Sequence, residues 1–591
     1  MDTNMFDSLK DNHAENLNFE NYIGVERQSL KMGSDDKLGT RESLESSDHS
    51  NREKQGQHEE YAMCGDTNLL GQPKWNIISL STTFIGLGLG MLLVCSAETI
   101  ANMQMVKLKA LYDSTISSVW LEAGFLLTCV MIQPIYIKLA EEFGRVRPLY
   151  GAMAIFIVFS IVIGAANSME LLVAGRVLQG IGGAGIMPLT LVVLTDITTI
   201  SQRGVWINFL GMAIILGKWT GPMLGALAYE NSLWRWSYYA PAIIGAVTVV
   251  FMYFTLDKLP KPPSNGSPAR GWKDFDILGI ITWCIGSVMF LSALVLGGNE
   301  FEWSSAIVVC LLVFGLLIVA GFFFIEWKVA SWPMIPLKTL RTLRSWLCLV
   351  ASFFAGMCMY TSIFFIPYYY STIHSYDGSK AGLQLMWYIL GGCVGSLMAG
   401  FITSRFGHYY YLNLSGLGLL IIGNGLNYRW DQTNQKVYYP ACQVISGLGL
   451  GLCIQQMLLA AQVNISPVDI ATVTTMVDYA RTFGGMVGLI IGESLLKNQI
   501  YNKVVPTLGD IPLLNLRSTE KSHSEKYTSL KNIDFLSVGK SIPAFRAAFP
   551  EVIEKALIEG AEGFSHITLV NIISAGIAFI LCLFIKQITQ K

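Results

Sequence analysis

Apolar residues along the chain are gathered into long runs that alternate with shorter polar segments. A helix needs about 20 mostly apolar residues to cross a bilayer. Fourteen runs reach or approach that length, near residues 76–100, 116–138, 149–167, 170–193, 204–228, 236–256, 274–296, 304–325, 345–367, 381–402, 409–427, 437–461, 473–495 and 565–585. The pattern predicts an all-α integral membrane protein with fourteen spans.

Two longer stretches are polar. Residues 1–72 are charged and poor in aromatic side chains, which predicts a disordered cytosolic tail. This tail has no apolar run beside Met1, so we expect no cleavable signal peptide. The second polar stretch, 496–564, separates the last two spans and is predicted to be a long loop.

Positively charged residues indicate the orientation, because Lys and Arg are enriched in cytosolic loops. With the amino terminus in the cytosol, the inner loops carry about twice as many Lys and Arg residues as the short outer loops. The bias predicts that both termini are cytosolic and that the loop 496–564 faces outward or into an organelle lumen.

Composition excludes several classes of protein. The chain is 52% hydrophobic and 14% charged, whereas soluble domains are about 25% charged. A net charge of -1 gives no basic surface for nucleic acid. Ten of the eleven cysteines lie in apolar runs, which predicts packing residues and no disulfide framework. With no ATP loop, metal cluster or nucleophile triad in the sequence, we expect no enzyme, cofactor or metal site.

Two inner loops are weakly similar to each other. The segment "QPIYIKLAEEFGRVRPLY" joins the second and third spans, and "GSLMAGFITSRFGHYYYL" joins the tenth and eleventh. Omitting spans seven and eight leaves two six-helix halves in which these loops correspond. We therefore expect an amino-terminal bundle at 73–256, a linker with two extra helices at 257–344, and a carboxyl-terminal bundle at 345–591. Parallel halves of this kind are a transporter architecture with the substrate site between them.

Charged and helix-breaking residues interrupt two of the spans. The segment "AGRVLQGIGGAGIMPL" places Arg176 and Gln179 on one face of the fourth span. A charge in hydrocarbon is costly and normally faces a protein interior or a water-filled path. The segment "LGKWTGPMLGA" places Gly221 and Pro222 in the fifth span, where they can bend the helix and let a neighbour pack closely.

These segments resemble motifs of the major facilitator superfamily, and specifically of the fungal fourteen-span drug:proton antiporter family. That family includes multidrug-resistance exporters and vacuolar basic amino acid transporters. "GRVLQGIGGAG" is similar to its fourth-helix motif, and "GKWTGPMLGA" to its fifth-helix antiporter signature, through Gly217, Gly221, Pro222 and Gly225. The resemblance covers about residues 75–590 and implies the major facilitator fold, with two six-helix bundles and two extra central helices.

Two family motifs are altered in this chain. The loop motif appears as "IKLAEEFGR", in which Glu141 replaces an aspartate while Gly144 and Arg145 remain. We expect Glu141, Arg145 and Arg147 to hold the inner loop in one conformation. The end of the first span reads "SAETIA", so that Ala97 takes the usual aspartate position and Glu98 follows it. One residue turns a helix by about 100°, so the carboxyl group could point elsewhere.

Candidate residues for proton coupling lie in the amino-terminal half. A membrane carboxyl group suits proton exchange, because desolvation favours its neutral form and an approaching cation favours its charged form. Glu98 is the leading candidate because it is nearest the family position, and Glu122 is second. The resemblance implies a role in coupling for Arg176. The alternatives are a structural hydrogen-bond donor for Arg176 and an interfacial position for each carboxylate.

Other polar residues could line a substrate cavity. Lys218 could pair with Glu98 or Glu122, or neutralise an anionic substrate. Asp478 and Arg481 could form a local ion pair within the thirteenth span. The remaining candidates are Gln179, Tyr360, Gln455 and Gln456, together with Tyr368 to Tyr370, for which an interfacial aromatic belt is the alternative.

The sequence thus predicts a secondary transporter. We expect a monomeric proton-coupled antiporter in the plasma or vacuolar membrane that exports small cationic or amphipathic organic solutes from the cytosol. Its partners would be the small-molecule substrate, protons and the lipid bilayer. One alternative is a vacuolar basic amino acid transporter, and another is a nutrient sensor on the same fold that transports nothing.

Overall fold

A computed structural model describes residues 77–101, 104, 108, 111–112, 120–230, 233–256, 276–298, 301–328, 343–428, 438–463, 465, 469–500, 503 and 550–585. The tail predicted for residues 1–72 lies outside this set, as do most of the loop 496–564 and the segments 257–275 and 329–342.

Long helices account for most of the described residues, and none of these residues forms a strand. The helices are α1 (Ile77–Ile100), α2 (Trp120–Phe143), α3 (Val146–Gly164), α4 (Met169–Ile197), α5 (Ile200–Glu230), α6 (Trp236–Leu256), α7 (Ile277–Leu296), α8 (Ala306–Lys328), α9 (Leu343–Thr372), α10 (Met386–Phe406), α11 (Tyr409–Asn427), α12 (Tyr438–Gln462), α13 (Ile470–Gln499) and α14 (Pro550–Leu583). A short helix, Gly378–Gln384, precedes α10.

Each predicted span coincides with one of these long helices, and the all-α membrane fold is confirmed. Of the described helices, twelve are long and apolar enough to cross a membrane. The two below that threshold are α11 and α13. Helix α13 carries Asp478, Arg481, Glu493 and Lys497 within its length, which lowers its mean hydropathy.

The polar stretch predicted as a loop at 496–564 is partly helical. Helix α13 continues to Gln499, and α14 begins at Pro550 rather than near 565. Gln499 donates hydrogen bonds to the Glu559 carbonyl and the Glu562 carboxylate, and Lys503 donates to Glu562 at 2.7 Å. The last hydrogen bond raises the pKa of the Lys503 ammonium. The hydropathy pattern did not predict the end of α13 or the start of α14, because the helical turns there carry polar side chains.

Helices α1 to α6 pack largely on one another. Helix α1 contacts α5 and α6, while α4 contacts both α2 and α3. In the second half of the chain, α9 packs against α13 and α14, and α12 packs against α10 and α11. The contacts that join these sets include α5 with α10, and both α2 and α4 with α13.

Helices α7 and α8 form a hairpin that packs on α2 and α13. The indole of Trp283 in α7 donates a hydrogen bond to the Met131 carbonyl of α2 at 2.9 Å. Ile137, Trp283, Phe322 and Met476 form a buried cluster that joins all four helices. Only 17% of the apolar stretch of helix α8 is buried within the protein. Most of the surface of this helix is therefore available to lipid.

Each of the two similar loops contains a glycine in the left-handed backbone conformation. Gly144 follows α2 with a φ of 82°, and Gly407 follows α10 with a φ of 67°. Residues with side chains rarely adopt this left-handed conformation. Both glycines therefore let the chain reverse within a few residues, into α3 and α11 respectively.

Candidate functional site

Arg176 is the centre of a hydrogen-bond network among the first four helices. Its guanidinium group donates to the carbonyl oxygens of Leu121 at 2.9 Å, Ala97 at 2.8 Å and Glu98 at 3.4 Å. It also donates to Gln179 Oε1 at 2.9 Å. The side chain is completely buried. These oxygens compensate the buried charge, and no carboxylate group accepts a hydrogen bond from Arg176 in the described structure.

Gln179 extends this network to α3. Its amide nitrogen donates to Ser160 Oγ at 2.7 Å, and Ser160 donates in turn to the Phe156 carbonyl. Gln179 thus connects the guanidinium group of Arg176 to helix α3. This contact makes Gln179 a support for Arg176.

Glu122 lies beside Arg176 and is buried rather than interfacial. Its carboxylate Oε2 is 4.0 Å from an Arg176 amino nitrogen, and its side chain is 8% exposed. This oxygen has no hydrogen-bond partner within the described part of the chain. Glu122 therefore experiences a positive field with little direct solvation, an environment in which its protonation state can change.

Glu98 and Lys218 form the shortest ion pair across two helices of the amino-terminal half. Lys218 Nζ of α5 lies 2.6 Å from Glu98 Oε2 of α1, and both side chains are at most 2% exposed. Lys218 also lies over the ring of Tyr360, 3.9 Å from its centroid. Tyr360 belongs to α9, so this contact connects the two sets of helices. Of the predicted partners for Lys218, the structure selects Glu98.

Asp478 and Arg481 pair within α13 as the i, i+3 spacing predicts. Asp478 also accepts a hydrogen bond from Gln133 of α2 at 2.7 Å. Both members of the pair are buried. This group therefore links α2 to α13 and compensates its own charge.

The adjacent glutamines of α12 have different environments. Gln456 donates to Asn208 of α5 at 3.3 Å and accepts from Thr403 of α10 at 2.8 Å. Gln455 is completely buried, and neither atom of its amide has a hydrogen-bond partner among the described residues. Gln456 is thus a bridge between helices, whereas Gln455 offers a free donor and acceptor.

Three glycines of the fifth-helix motif face α1. A side-chain carbon at Gly217, Gly221 or Gly225 would lie within 3.0 Å of backbone oxygens of Leu92, Ser96 or Ile100 respectively. Helix α5 continues without interruption through Pro222. The motif therefore brings α5 into backbone contact with α1, directly beside the Glu98–Lys218 pair.

Residues of the altered loop motif make contacts in two directions. Glu141 accepts from Lys138 at 2.7 Å and from Thr472 of α13 at 3.2 Å. Arg145 pairs with Asp196 at the end of α4, at 3.3 Å. Arg147 is exposed, and we observe no ion pair for it in the described ranges. The structure therefore does not bring Arg147 into this group, because its side chain is exposed.

The tyrosines at the end of α9 form an internal aromatic cluster. Tyr369 and Tyr370 are buried and pack against His374, and Tyr370 stacks on Tyr376. Burial lowers the pKa of His374. Because both rings are almost completely buried within the protein, they are not placed as an exposed aromatic belt would be.

A small polar cavity lies among α9, α10, α11 and α14, away from these charges. Asn424 Nδ2 and Asn427 Oδ1 line it without hydrogen-bond partners in the described region. The space in which the centre of a water molecule fits is about 20 Å³. One bound water needs about 10–15 Å³ of such space. The cavity has room for water but not for an organic solute.

Several of these contacts were not predicted from the sequence. Gln133, Ser160, Asp196 and Asn208 are single polar residues in or beside apolar runs, and this isolation is the signal that could have found them. No group of His, Cys, Asp and Glu side chains in the described part of the chain could hold a metal ion. Paired charges and free amides can bind ions and polar solutes, and a buried carboxyl group can also exchange a proton.

Several known proteins are similar to this chain in sequence or in fold. The Major Facilitator Superfamily profile matches residues 78–489. The chain is 29% identical to the efflux pump dotC of Dothistroma septosporum over 73% of each chain. It is 27% identical to the transporter gkaD of Penicillium citrinum, over 86% of this chain and 84% of that one. A solved bacterial homologue of the human lysosomal transporter Spinster has a TM-score of 0.51 at 14% identity, covering 86% of this chain and 98% of that one.

The profile spans more than half of the chain, and fungal efflux pumps and transporters align with most of its length. The resemblance found in the fourth-helix and fifth-helix motifs is therefore confirmed. The chain belongs to the major facilitator superfamily and is a multi-pass membrane transporter, not an enzyme.

Proposed function

We propose that the protein is a proton-coupled antiporter that exports a small organic solute with a cationic or amphipathic character from the cytosol. The observation that carries this proposal is the buried cluster of Glu98, Glu122, Arg176 and Lys218, which faces Tyr360 of the second set of helices. Relatives named efflux pumps support the direction of transport. The proposed units are the two bundles at 73–256 and 345–591, with the solute between them.

We assign the proton to Glu122 rather than Glu98. Three observations support this choice. Glu122 Oε2 has no hydrogen bond in the described structure; Glu98 Oε1 also has none, but Glu98 Oε2 accepts one from Lys218. Arg176 keeps four oxygen acceptors when Glu122 becomes neutral. Lys218, by contrast, has Glu98 as its one hydrogen-bond acceptor within the described residues, so protonation of Glu98 would leave a buried ammonium uncompensated.

Neutralising Glu122 should abolish the response to a pH gradient. One pH unit corresponds to about 1.4 kcal/mol per proton, or about a tenfold solute gradient. Purified wild-type protein in vesicles, assayed with a panel of drugs and amino acids, should approach that accumulation per coupled proton. Glu122→Gln should reach no gradient, while exchange of labelled for unlabelled solute at equal pH partly survives.

A matched carboxyl variant controls this experiment. Glu493→Gln removes a partly exposed carboxylate that pairs with Lys497 in α13, and it should retain gradient-driven accumulation. Glu98→Gln should weaken both accumulation and equal-pH exchange, because it leaves the buried Lys218 ammonium without its carboxylate partner. If Glu122→Gln and Glu98→Gln both keep the full pH dependence, neither carboxyl group carries the proton and the assignment fails. If the wild-type protein itself shows no response to the pH gradient, it is a uniporter or a sensor and the proposal fails.

We also propose that both termini are cytosolic, that the protein acts as a monomer, and that it resides in the plasma or vacuolar membrane. The charge bias of the loops supports this orientation. A cysteine introduced between 510 and 540 should react with a membrane-impermeant thiol reagent from outside the cell or from the lumen. Protection of that site, together with labelling at 262–268, would invert the topology.

A further inference from the structure

We infer that the transported solute is a zwitterion, whose positive group binds Glu98 and whose negative group binds Lys218. This inference rests on the proposed transport function and narrows its amphipathic substrate class. It follows from the pairing of the buried charges, and from the fact that the Glu98–Lys218 pair can separate more easily than the other two pairs.

Six of the charged side chains that are buried in the described helices form three pairs of opposite sign. The pairs are Glu98–Lys218, Glu122–Arg176 and Asp478–Arg481. All six side chains are at least nine-tenths buried. A solute with one charge therefore finds no free counter-charge in this region. It must displace a partner and leave that partner uncompensated, which is strongly unfavourable in a buried site.

Two of the pairs are unsuited to open for a solute. Asp478 and Arg481 are one turn apart on the same helix, and Gln133 also holds Asp478. Helix movements cannot separate these two charges. Arg176 is fixed by the oxygens of four residues in α1, α2 and α4, so its position does not depend on Glu122.

The Glu98–Lys218 pair differs in both respects. Its members lie on different helices, and Tyr360 of the opposite helix set covers the ammonium group. Within the described structure, Lys218 has no other hydrogen-bond acceptor. When this pair opens, both charges need new partners at once. An ammonium and a carboxylate on one solute satisfy both, and Tyr360 supplies an aromatic wall beside them.

Matched probes that differ only in charge test this inference. One series is phenylalanine, phenethylamine and 3-phenylpropanoate, and a second is norleucine, pentylamine and hexanoate. We would measure binding to the purified full-length protein in nanodiscs by ligand-dependent thermal stabilisation. In at least one series, the zwitterion should bind about tenfold or more tightly than either singly charged analogue. Equal or tighter binding of the amine in both series would overturn the inference, as would no preference for the zwitterion.

Removal of one charge should change the preferred probe in a predictable direction. Lys218→Met leaves Glu98 unpaired, so the amine should become the tightest ligand. Glu98→Gln leaves Lys218 unpaired, so the carboxylate should become the tightest. The double variant Glu98→Gln/Lys218→Met leaves no unpaired charge at this position and should show no charge preference. A zwitterion preference that persists in the double variant would contradict the inference, even if the single variants do not fold.

The test of the zwitterion preference and the test of proton antiport can fail independently. Zwitterion preference without any response to a pH gradient would refute proton antiport and leave this inference standing. A response to the gradient with the amine preferred would do the reverse.

Discussion

Replacement of Gly221 by leucine should abolish transport, and replacement by alanine should already reduce it strongly. A side-chain carbon at this position meets the Thr99 hydroxyl, the Ser96 carbonyl and the Ile100 amide of α1. Two of these atoms belong to the backbone and cannot rotate away. Overpacking of this kind costs about 1–3 kcal/mol. It would also separate α1 from α5, and with them Glu98 from Lys218.

A glycine in open surroundings provides the control for this prediction. Gly418 of α11 has nothing within 4 Å of an added side-chain carbon, so Gly418→Ala and Gly418→Leu should transport at the wild-type rate. Initial rates in vesicles, normalised to the amount of folded protein, make the comparison. Normal transport by Gly221→Leu would show that close contact between α1 and α5 is not required.

The arrangement of helices was largely accessible from the sequence. Long apolar runs are a direct consequence of the bilayer as solvent, so each predicted span corresponds to a helix. The positions of Arg176, Gly221 and Pro222 pointed to the correct family because their residue types are costly or disruptive in a spanning helix. Helix ends were less accessible, and α14 begins earlier than predicted because its first turns are polar.

The partners of the charged residues could not be predicted in the same way. Lys218 and Glu98 are separated by 120 positions, and Gln133 and Asp478 by 345. Such contacts depend on the rotation of each helix about its axis and on which helices are neighbours. For Glu98, the one-residue shift from the family position turned out to direct its carboxylate toward α5, while the neighbouring Ala97 carbonyl receives Arg176.

The contacts of Arg176 give the charge cluster its shape. The planar guanidinium group of Arg176 donates hydrogen bonds to oxygens on α1, α2 and α4. These contacts hold Glu122 near a positive charge without a direct hydrogen bond. They also position the end of α1, from which Glu98 reaches Lys218. Both the proposed proton site and the proposed solute site therefore depend on the planar geometry of this guanidinium group.

Substitution of Arg176 by lysine should consequently remove transport although the charge is kept. An ammonium group presents a compact point charge with three donors and cannot reproduce the planar fork. At least one of the oxygens of Leu121, Ala97 and Gln179 would then be buried without a donor, at a cost of about 1–3 kcal/mol each. Both gradient-driven accumulation and equal-pH exchange should fall to background, which distinguishes this variant from Glu122→Gln.

The matched control for that substitution is Arg235→Lys. Arg235 donates to the Ala166 carbonyl and the Asn167 side chain near the protein surface, and its guanidinium group lies over Trp234. Water can replace these contacts, so transport should stay within about twofold of wild type. If Arg176→Lys retains accumulation comparable to Arg235→Lys, a positive charge alone suffices at this position. The fork would then have no special role, and the assignment of the proton to Glu122 would lose its main structural support.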